Sequence, residues 1–315
     1  MRVRAGLAAL SLVLIPLAAC APQDDDSGAT ASDETSSTPS DETSEETSES
    51  STPTEEATEA GALSPECAPD QLPLNAAGQL TVATDSPAYE PWFVDNDPTN
   101  GKGYESAVAY AVAEKLGFTP DQVVWEKVPF NVSYKPGDKD FDFDINQISI
   151  SPERAKVVDF SDGYYSAAQA LIALEGDDIT GATSLADLAS YKLGAQTGTT
   201  SLTAIRDTIQ PSDEPAVFED TNAAKQALLN DQVDGIVADL PTAFYITAAE
   251  IKHSVIVGQF QPVTGQQEQF GLLFQKGNPL VACVNEALAA LTADGTLDQL
   301  QQQWLSNEVD VPVLQ

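Results

Sequence analysis

The stretch of residues 146–165 constrains the fold of this chain more than any other. In residues 141–150, which run into it, apolar and polar residues alternate, and this predicts a strand with one apolar and one polar face. Ser151-Pro152 then predicts a helix start, because Ser suits the N-cap and Pro the first helical position. Arg154 would lie in the first turn, where a cation opposes the helix dipole, so we expect an anionic partner for it.

Arg154 has two possible partners on this sequence. Beyond the first four residues the chain has only one other arginine, Arg206. Arg206 is predicted to lie in the middle of a helix beside Asp207 and is interpreted as a solvated surface residue. The planar guanidinium of Arg154 suits a ligand carboxylate held by two hydrogen bonds. A buried ion pair with Asp159 or Asp162 explains the residue equally well, and both alternatives stay open.

Residues 1–20 are predicted to be a targeting segment. Two arginines precede an apolar run at 7–17, which is too short to span a bilayer. The closing Leu-Ala-Ala-Cys resembles a bacterial lipobox, which implies that Cys20 becomes the lipidated first residue of the mature protein and carries palmitate. The alternative is an ordinary cleaved signal in which Cys20 has no role.

Residues 21–62 are acidic and rich in Ser, Thr and Pro, without Lys, Arg or aromatic residues. Such a segment buries too little apolar surface to offset its conformational entropy, so we predict a disordered stalk. Of the formal net charge of −35, the leader contributes +2 and the stalk −13, which leaves −24 for residues 63–315. This charge argues against nucleic acid or an anionic membrane surface as a partner.

The remaining cysteines, Cys67 and Cys283, predict a disulfide if the protein is exported; the alternative is two unpaired thiols. His253 is the only histidine, which excludes His-based triads and Cys/His metal sites. We therefore predict no metal and no cofactor.

Alternating strand and helix patterns indicate an α/β protein. Strands are predicted at 80–85, 123–125, 167–174, 235–239 and 270–274, and helices at 103–116, 222–229 and 280–292. Residues 192–201 predict a strand, a glycine turn and a helix start.

The sequence from Ser149 to Tyr165, Ser-Ile-Ser-Pro-Glu-Arg-Ala-Lys-Val-Val-Asp-Phe-Ser-Asp-Gly-Tyr-Tyr, resembles the signature of the polar amino-acid-binding (family 3) solute-binding proteins of bacterial ABC importers. The resemblance runs from Leu80 to Trp304. It implies a two-lobed periplasmic-binding-protein fold of type II, with two crossover segments and a ligand cleft between the lobes. The implied lobes are 63–166 with 264–315, and 167–263.

The resemblance also implies how the backbone of an amino-acid ligand is held. Arg154 and Ser149 would take the α-carboxylate together with Thr200, and Thr199 would lie nearby. The carbonyl of Gln147 and the carboxylate of Asp239 would take the α-amine. From the residues alone, Gly198-Thr199-Thr200 could be an ordinary capped helix start, and Asp239 a simple helix cap.

Other positions are implied to contact the ligand side chain. Asp85 matches the family's acidic contact, Tyr89 and Phe130 match its aromatic residues, and Gln196 is a plausible wall. Trp92 is a second aromatic candidate, although Trp92 and Phe93 could instead pack beneath their loop. The pattern departs from the family at 132–140, which puts that part of the pocket wall in doubt.

The predicted function is that of an extracytoplasmic lipoprotein, anchored to the outer face of the cell membrane, that delivers an amino acid to ABC permease subunits as a monomer. A polar neutral or cationic ligand is favoured, because a second carboxylate would need a second cation in the cleft. One alternative is a dehydratase-like enzyme using Glu90 or Glu268; another is a sensor module, disfavoured because no membrane segment follows Gln315.

Overall fold

The structure is a computed structural model that describes residues 62–262, 267–305 and 311–315. The predicted targeting segment and nearly all of the predicted stalk lie outside these ranges, and so does part of the second predicted crossover.

Two five-stranded mixed sheets organise the described residues. The first has the strand order β2-β1-β3-β10-β4, in which β1 is parallel to β2 and β3, and β10 is antiparallel to β3 and β4. Its strands are β1 (Leu80–Thr84), β2 (Val123–Lys127), β3 (Phe143–Asp144), β4 (Val158–Ala167) and β10 (Glu268–Gln275). The second has the order β7-β6-β8-β5-β9, in which β6 is parallel to β7 and β8, and β5 is antiparallel to β8 and β9. Its strands are β5 (Gln169–Leu174), β6 (Leu193–Gln196), β7 (Ala216–Phe218), β8 (Gly235–Asp239) and β9 (Ser254–Phe260).

Helices cover both sheets, and each sheet has cores of its own. We call each sheet with its helices a lobe. The helices are α1 (Tyr104–Lys115), α2 (Phe130–Ser133), α3 (Thr200–Ala204), α4 (Thr221–Leu229), α5 (Leu240–Tyr245), α6 (Leu280–Ala293) and α7 (Thr296–Leu305). Residues of α1, α6 and α7 join the core of the first lobe, whereas α3, α4 and α5 pack on the second sheet. The α/β, two-lobed fold expected from the sequence is confirmed.

The chain crosses between the lobes from β4 to β5 and again from β9 to β10. The predicted lobe boundaries stay a prediction. Residues 311–315 lie against the second lobe, where Leu314 joins a core cluster and its N–H donates to the carbonyl of Gln259 over 2.9 Å.

The prediction of a half-polar strand at 141–150 is wrong. The regular strand is only Phe143–Asp144, and the acidic side chains of Asp142 and Asp144 are as buried as their apolar neighbours. This strand lies inside the sheet between β1 and β10, so both of its edges are paired, and the side chains on both of its faces are buried. The carboxylate of Asp142 accepts hydrogen bonds from the backbone N–H groups of Asn75 and Thr81, each over 2.7 Å.

The helix predicted from Ser151 is present only as a single turn. Residues Arg154–Lys156 form one 3-10 turn, and the chain enters β4 at Val158. The Ser151 hydroxyl does accept the Arg154 N–H, over 3.2 Å. A long helix is not formed because pairing with β10 takes the residues that follow.

The predicted disulfide between Cys67 and Cys283 is confirmed, with Cα atoms 5.3 Å apart. It ties the segment before β1 to α6 in the first lobe. Among the described residues no single helix has the length and apolar character to cross a membrane; α6 and α7 pass that test only as a pair, bent by 75°.

Candidate functional site

A polar cavity of ≈ 60 Å³ lies between the two sheets. Predicted ligand residues from both lobes line it: Asp85, Tyr89, Phe130, Gln147, Gln196, Thr199, Thr200 and Asp239. Sequence reasoning missed further polar lining residues, namely Asn146, Ser201, Thr221 and Thr242. Asn146 and Ser201 directly precede or follow predicted residues, but Thr221 and Thr242 have no local signal, because folding of the second lobe brings them to the cavity.

Asp239 ends β8, is half-buried and lines the cavity. It occupies the N-cap position of α5, as the helix-cap alternative expected, but its side chain makes no capping hydrogen bond to that helix. Instead it accepts a hydrogen bond from Nε2 of Gln169 over 3.1 Å. Burial raises the pKa of Asp239 well above its ordinary value, and the nearby carboxylate of Glu268 raises it further. A cation at this point of the cavity would therefore be favourably placed.

Gln169, the first residue of β5, links the two crossovers through hydrogen bonds of its side chain. The Gln169 Nε2 group donates to Asp239 and also to Glu268, the latter over 2.8 Å. The Gln169 Oε1 atom accepts from the Ser201 hydroxyl over 2.6 Å. Glu268 in turn accepts from the Ser149 hydroxyl. Sequence reasoning missed Gln169, which reads as one polar residue in an apolar strand.

Arg154 is 9% exposed and bonds to backbone rather than to an acid. It donates to the carbonyl of Ser149 over 2.7 Å and to that of Gly198, in the other lobe, over 2.9 Å. The alternative of a buried ion pair with Asp159 or Asp162 is wrong: Asp159 pairs with Lys276 over 2.6 Å, and Asp162 is exposed. Burial lowers the pKa of Arg154.

Arg154 and Ser149 are not among the residues that line the cavity, but both contact the lining segment. Gly198, whose carbonyl accepts from Arg154, directly precedes Thr199, and the Ser149 hydroxyl lies 3.2 Å from that of Thr200. The Thr199 hydroxyl caps α3 by accepting the N–H of Leu202 over 3.1 Å, so the capped-helix interpretation is confirmed. A ligand role for Thr199 and Thr200 stays a prediction.

Gln147 is held in an unusual backbone conformation, with φ at 46°. Glu105, which is 0% exposed in α1, fixes it by accepting its backbone N–H over 2.6 Å and by bonding to its side-chain amide. Glu105 also accepts the hydroxyl of Tyr164. Burial raises the pKa of Glu105 to about 7, although these donors counteract it. From the sequence, Glu105 is predicted only to lie in the helix at 103–116, and nothing in the local pattern indicates its hydrogen bonds to Gln147 and Tyr164.

Trp92 is the clearest departure from the predicted site. It is fully buried in the core of the first lobe, edge-on to Tyr104, Tyr165 and Phe270, and does not line the cavity. Its indole N–H crosses to the other lobe and donates to the hydroxyl of Thr242 over 2.8 Å. Phe93 is fully buried too, which agrees with the alternative that Trp92 and Phe93 pack beneath their loop and do not contact the ligand.

Tyr89, Phe130 and Asp85 form the cavity wall on the first lobe. The Asp85 carboxylate accepts the N–H of Phe130 over 3.1 Å, which ties the loop after β1 to α2. Lys225 of the second lobe lies 5.6 Å from the centre of the Tyr89 ring and is paired with Glu250 over 2.6 Å. No group of three or more metal-ligating side chains occurs in the part of the chain that the structure describes.

Two lobes joined by two crossovers, with a buried polar cavity between them, define a two-lobed solute-binding protein. Residues 80–307 match the family model of the bacterial extracellular solute-binding proteins, family 3, and the chain belongs to this family. The L-cystine-binding protein TcyJ of Escherichia coli strain K12 is 28% identical over 236 residues, which cover 74% of this chain and 84% of that protein.

Solved structures of amino-acid-binding proteins are similar over the same region. The ancestral amino acid-binding protein AncCDT-1, a precursor of cyclohexadienyl dehydratase, is 31% identical with a TM-score of 0.61, covering 72% of this chain and 95% of that one. The arginine-, lysine-, histidine-binding protein ArtJ from Geobacillus stearothermophilus is 25% identical with a TM-score of 0.62, covering 73% of this chain and 96% of that one.

Proposed function

We propose that this protein is an extracytoplasmic solute-binding lipoprotein that captures an amino acid between its lobes and delivers it to the membrane subunits of an ABC importer. Family membership supports transport, and the relatives above are named for binding amino acids. The observation that carries the proposal is the polar cavity between the lobes, because groups for both ends of an amino acid converge on it.

An α-ammonium group would be held by Asp239, with the carbonyl of Gln147 on the opposite lobe. Both residues line the cavity, and a buried carboxylate with a raised pKa gains most from a cation beside it. The ammonium would share Asp239 with the amide of Gln169.

An α-carboxylate would be held next to Thr199 and Thr200, within reach of Arg154. The hydrogen bonds from Arg154 to the carbonyls of Ser149 and Gly198 use two of the five N–H donors that a guanidinium carries. A zwitterion bound in this way would be buried with both charges paired, which a closed cleft requires.

The wall for the ligand side chain favours a polar neutral or cationic amino acid. Asp85 supplies a carboxylate, and Tyr89 and Phe130 supply ring faces that attract a cation. No Lys or Arg is among the described lining residues, and nearby Lys225 is already paired with Glu250. A second ligand carboxylate would therefore lack a partner.

The enzyme alternative has less support, so we propose that the protein is not an enzyme. Neither Glu90 nor Glu268 lines the cavity, and Glu268 is 8% exposed and bonded to Ser149 and Gln169. An acid used in proton transfer has to reach the reacting group. We further propose a monomer, anchored to the outer face of the cell membrane through lipidated Cys20.

A thermal-shift screen over the twenty standard amino acids and L-cystine tests the proposal. An amino acid at about 100 times its dissociation constant stabilises the folded protein by roughly 2.7 kcal/mol, which gives a measurable rise in melting temperature. A rise with glutamate or aspartate alone would contradict the side-chain argument. No rise with any of these compounds would contradict amino-acid binding itself.

A further inference from the structure

Tyr134 lies in the segment at 132–140 where the sequence departs from the family pattern. It follows α2, four residues after Phe130, so the two side chains lie on the same side and their rings meet edge-on with centres 5.7 Å apart. Tyr134 is half-buried and packs against a core cluster of the first lobe.

The ring of Tyr134 supports Arg154. The guanidinium carbon lies 4.8 Å from the centre of the Tyr134 ring and 5.5 Å from that of Phe130. Both distances are within the range of attraction between a cation and an aromatic face. The rings therefore restrict the position of a side chain whose remaining N–H groups are proposed to hold the ligand carboxylate.

The hydroxyl of Tyr134 reaches the second lobe. It donates to the carbonyl of Gly198 over 3.4 Å, and this carbonyl also accepts from Arg154 over 2.9 Å. A Cβ atom at position 198 would lie 2.2 Å from the Tyr134 hydroxyl oxygen, so a glycine is needed for the approach. The φ of 75° at Gly198 also favours glycine. Since Tyr134 and Gly198 lie on different lobes, this contact exists only while the lobes are together.

We propose that Tyr134 is a positioning residue that holds Arg154 and latches the closed lobes, so that it slows the release of a bound amino acid. The inference rests on the proposed function. Release requires the lobes to separate and therefore the Tyr134–Gly198 contact to break, whereas an amino acid enters before this contact is made. Loss of the latch is thus expected to raise the dissociation rate and to leave the association rate nearly unchanged.

Two variants separate the hydroxyl from the ring. Tyr134→Phe keeps the ring over Arg154 and loses only the bond to Gly198, so dissociation should accelerate by about two- to tenfold, the effect of one modest hydrogen bond. Tyr134→Ala loses the ring as well and should accelerate dissociation by about ten- to a hundredfold. Tyr110→Phe is the control, because the Tyr110 hydroxyl bonds only within one lobe and away from the cavity: it donates to the carbonyl of Thr99 over 2.9 Å and accepts from the indole N–H of Trp125 over 3.3 Å.

The experiment is stopped-flow tryptophan fluorescence on the full chain. The probe is whichever of the twenty standard amino acids and L-cystine raises the melting temperature of the wild type most. We expect dissociation rates in the order wild type, Tyr134→Phe, Tyr134→Ala, with Tyr110→Phe equal to wild type and all association rates within about twofold.

Two outcomes overturn the proposal in distinguishable ways. If the wild type binds a probe and the Tyr134→Phe and Tyr134→Ala rates match those of Tyr110→Phe, the latch is wrong and the proposed function stands. If the Tyr134 variants bind the probe more slowly but release it at the wild-type rate, the latch is likewise wrong and the proposed function stands. If no probe stabilises the wild type, the proposed function fails and the latch fails with it.

Discussion

Replacing Glu105 by Gln is expected to remove a specific pH dependence from the free energy of unfolding. The Glu105 carboxylate accepts hydrogen bonds from Tyr164 and from the backbone and side chain of Gln147. Glutamine keeps one oxygen for the Tyr164 hydroxyl and the Gln147 backbone. Its new amide group would face the Gln147 amide, which can rotate by half a turn and present its own oxygen. The substitution therefore preserves the packing and the hydrogen bonds while it removes the ionisable group.

The pKa of Glu105 determines the sign and size of the effect. Its pKa is raised from 4.5 to about 7 in the folded protein, mainly by burial. Because the folded state binds the proton more tightly, the stabilisation is fully present below pH 4.5 and is lost as the pH rises through about 7. Relative to acid pH, the wild type should lose about 2 kcal/mol by about pH 6 and about 3 kcal/mol by about pH 8.

Urea unfolding of the wild type and Glu105→Gln at a series of pH values between about 4.5 and 8 measures this difference. Asp144 and Asp239 also have raised pKa values, and because burial is the main cause in both proteins, most of their contribution cancels in the comparison. The Glu105 charge raises both pKa values further, so the part of their pH dependence that comes from Glu105 is removed together with it. Glu114→Gln, an exposed change on the same helix, is the control and should follow the wild type. A constant difference between Glu105→Gln and wild type across this range would refute the reasoning.

Three further predictions concern the covalent and binding chemistry. Intact mass with and without reductant should show that Cys67 and Cys283 are bonded, and two free thiols in the exported protein would contradict this. Because the two cysteines are 216 positions apart, replacing both by Ala should lower the free energy of unfolding by about 5 kcal/mol in the chain-entropy model. Cys20→Ala should release the protein from the membrane fraction of cells, and retention as firm as wild type would exclude the lipid anchor. Arg154→Ala should weaken binding of the stabilising amino acid by roughly 30-fold to several-thousand-fold without unfolding the protein, as measured by calorimetry; unchanged affinity would remove Arg154 from the proposed site.

Local patterns predicted much of the architecture. The helix predicted at 103–116 is α1, Tyr104–Lys115, and the strand predicted at 235–239 is β8, Gly235–Asp239. These elements are recognisable because periodicity and turn residues depend on neighbours in sequence. The failures at 141–150 and at Ser151 arose where sheet pairing overrides local preference. The partner strand β10 lies more than a hundred residues later in the chain, and no local pattern reveals its pairing with β3 and β4.

The sequence by itself determined the order of most elements and the likeness to the family, and it favoured the pairing of Cys67 with Cys283, because a periodic pattern, a long motif and the two cysteines that follow Cys20 need no coordinates. Only the tertiary structure decided which side chains share the cavity and what they contact. In the structure Trp92 is a core residue that is hydrogen-bonded to Thr242, 150 positions away in the chain. Arg154 donates a hydrogen bond to a backbone carbonyl of the other lobe and forms no ion pair with an acidic side chain among the described residues. The tertiary structure also encloses Glu105 at the centre of a hydrogen-bond network. The physical reason is that burial, pKa and hydrogen bonding depend on distances between residues far apart in the chain, which only the packed lobes define.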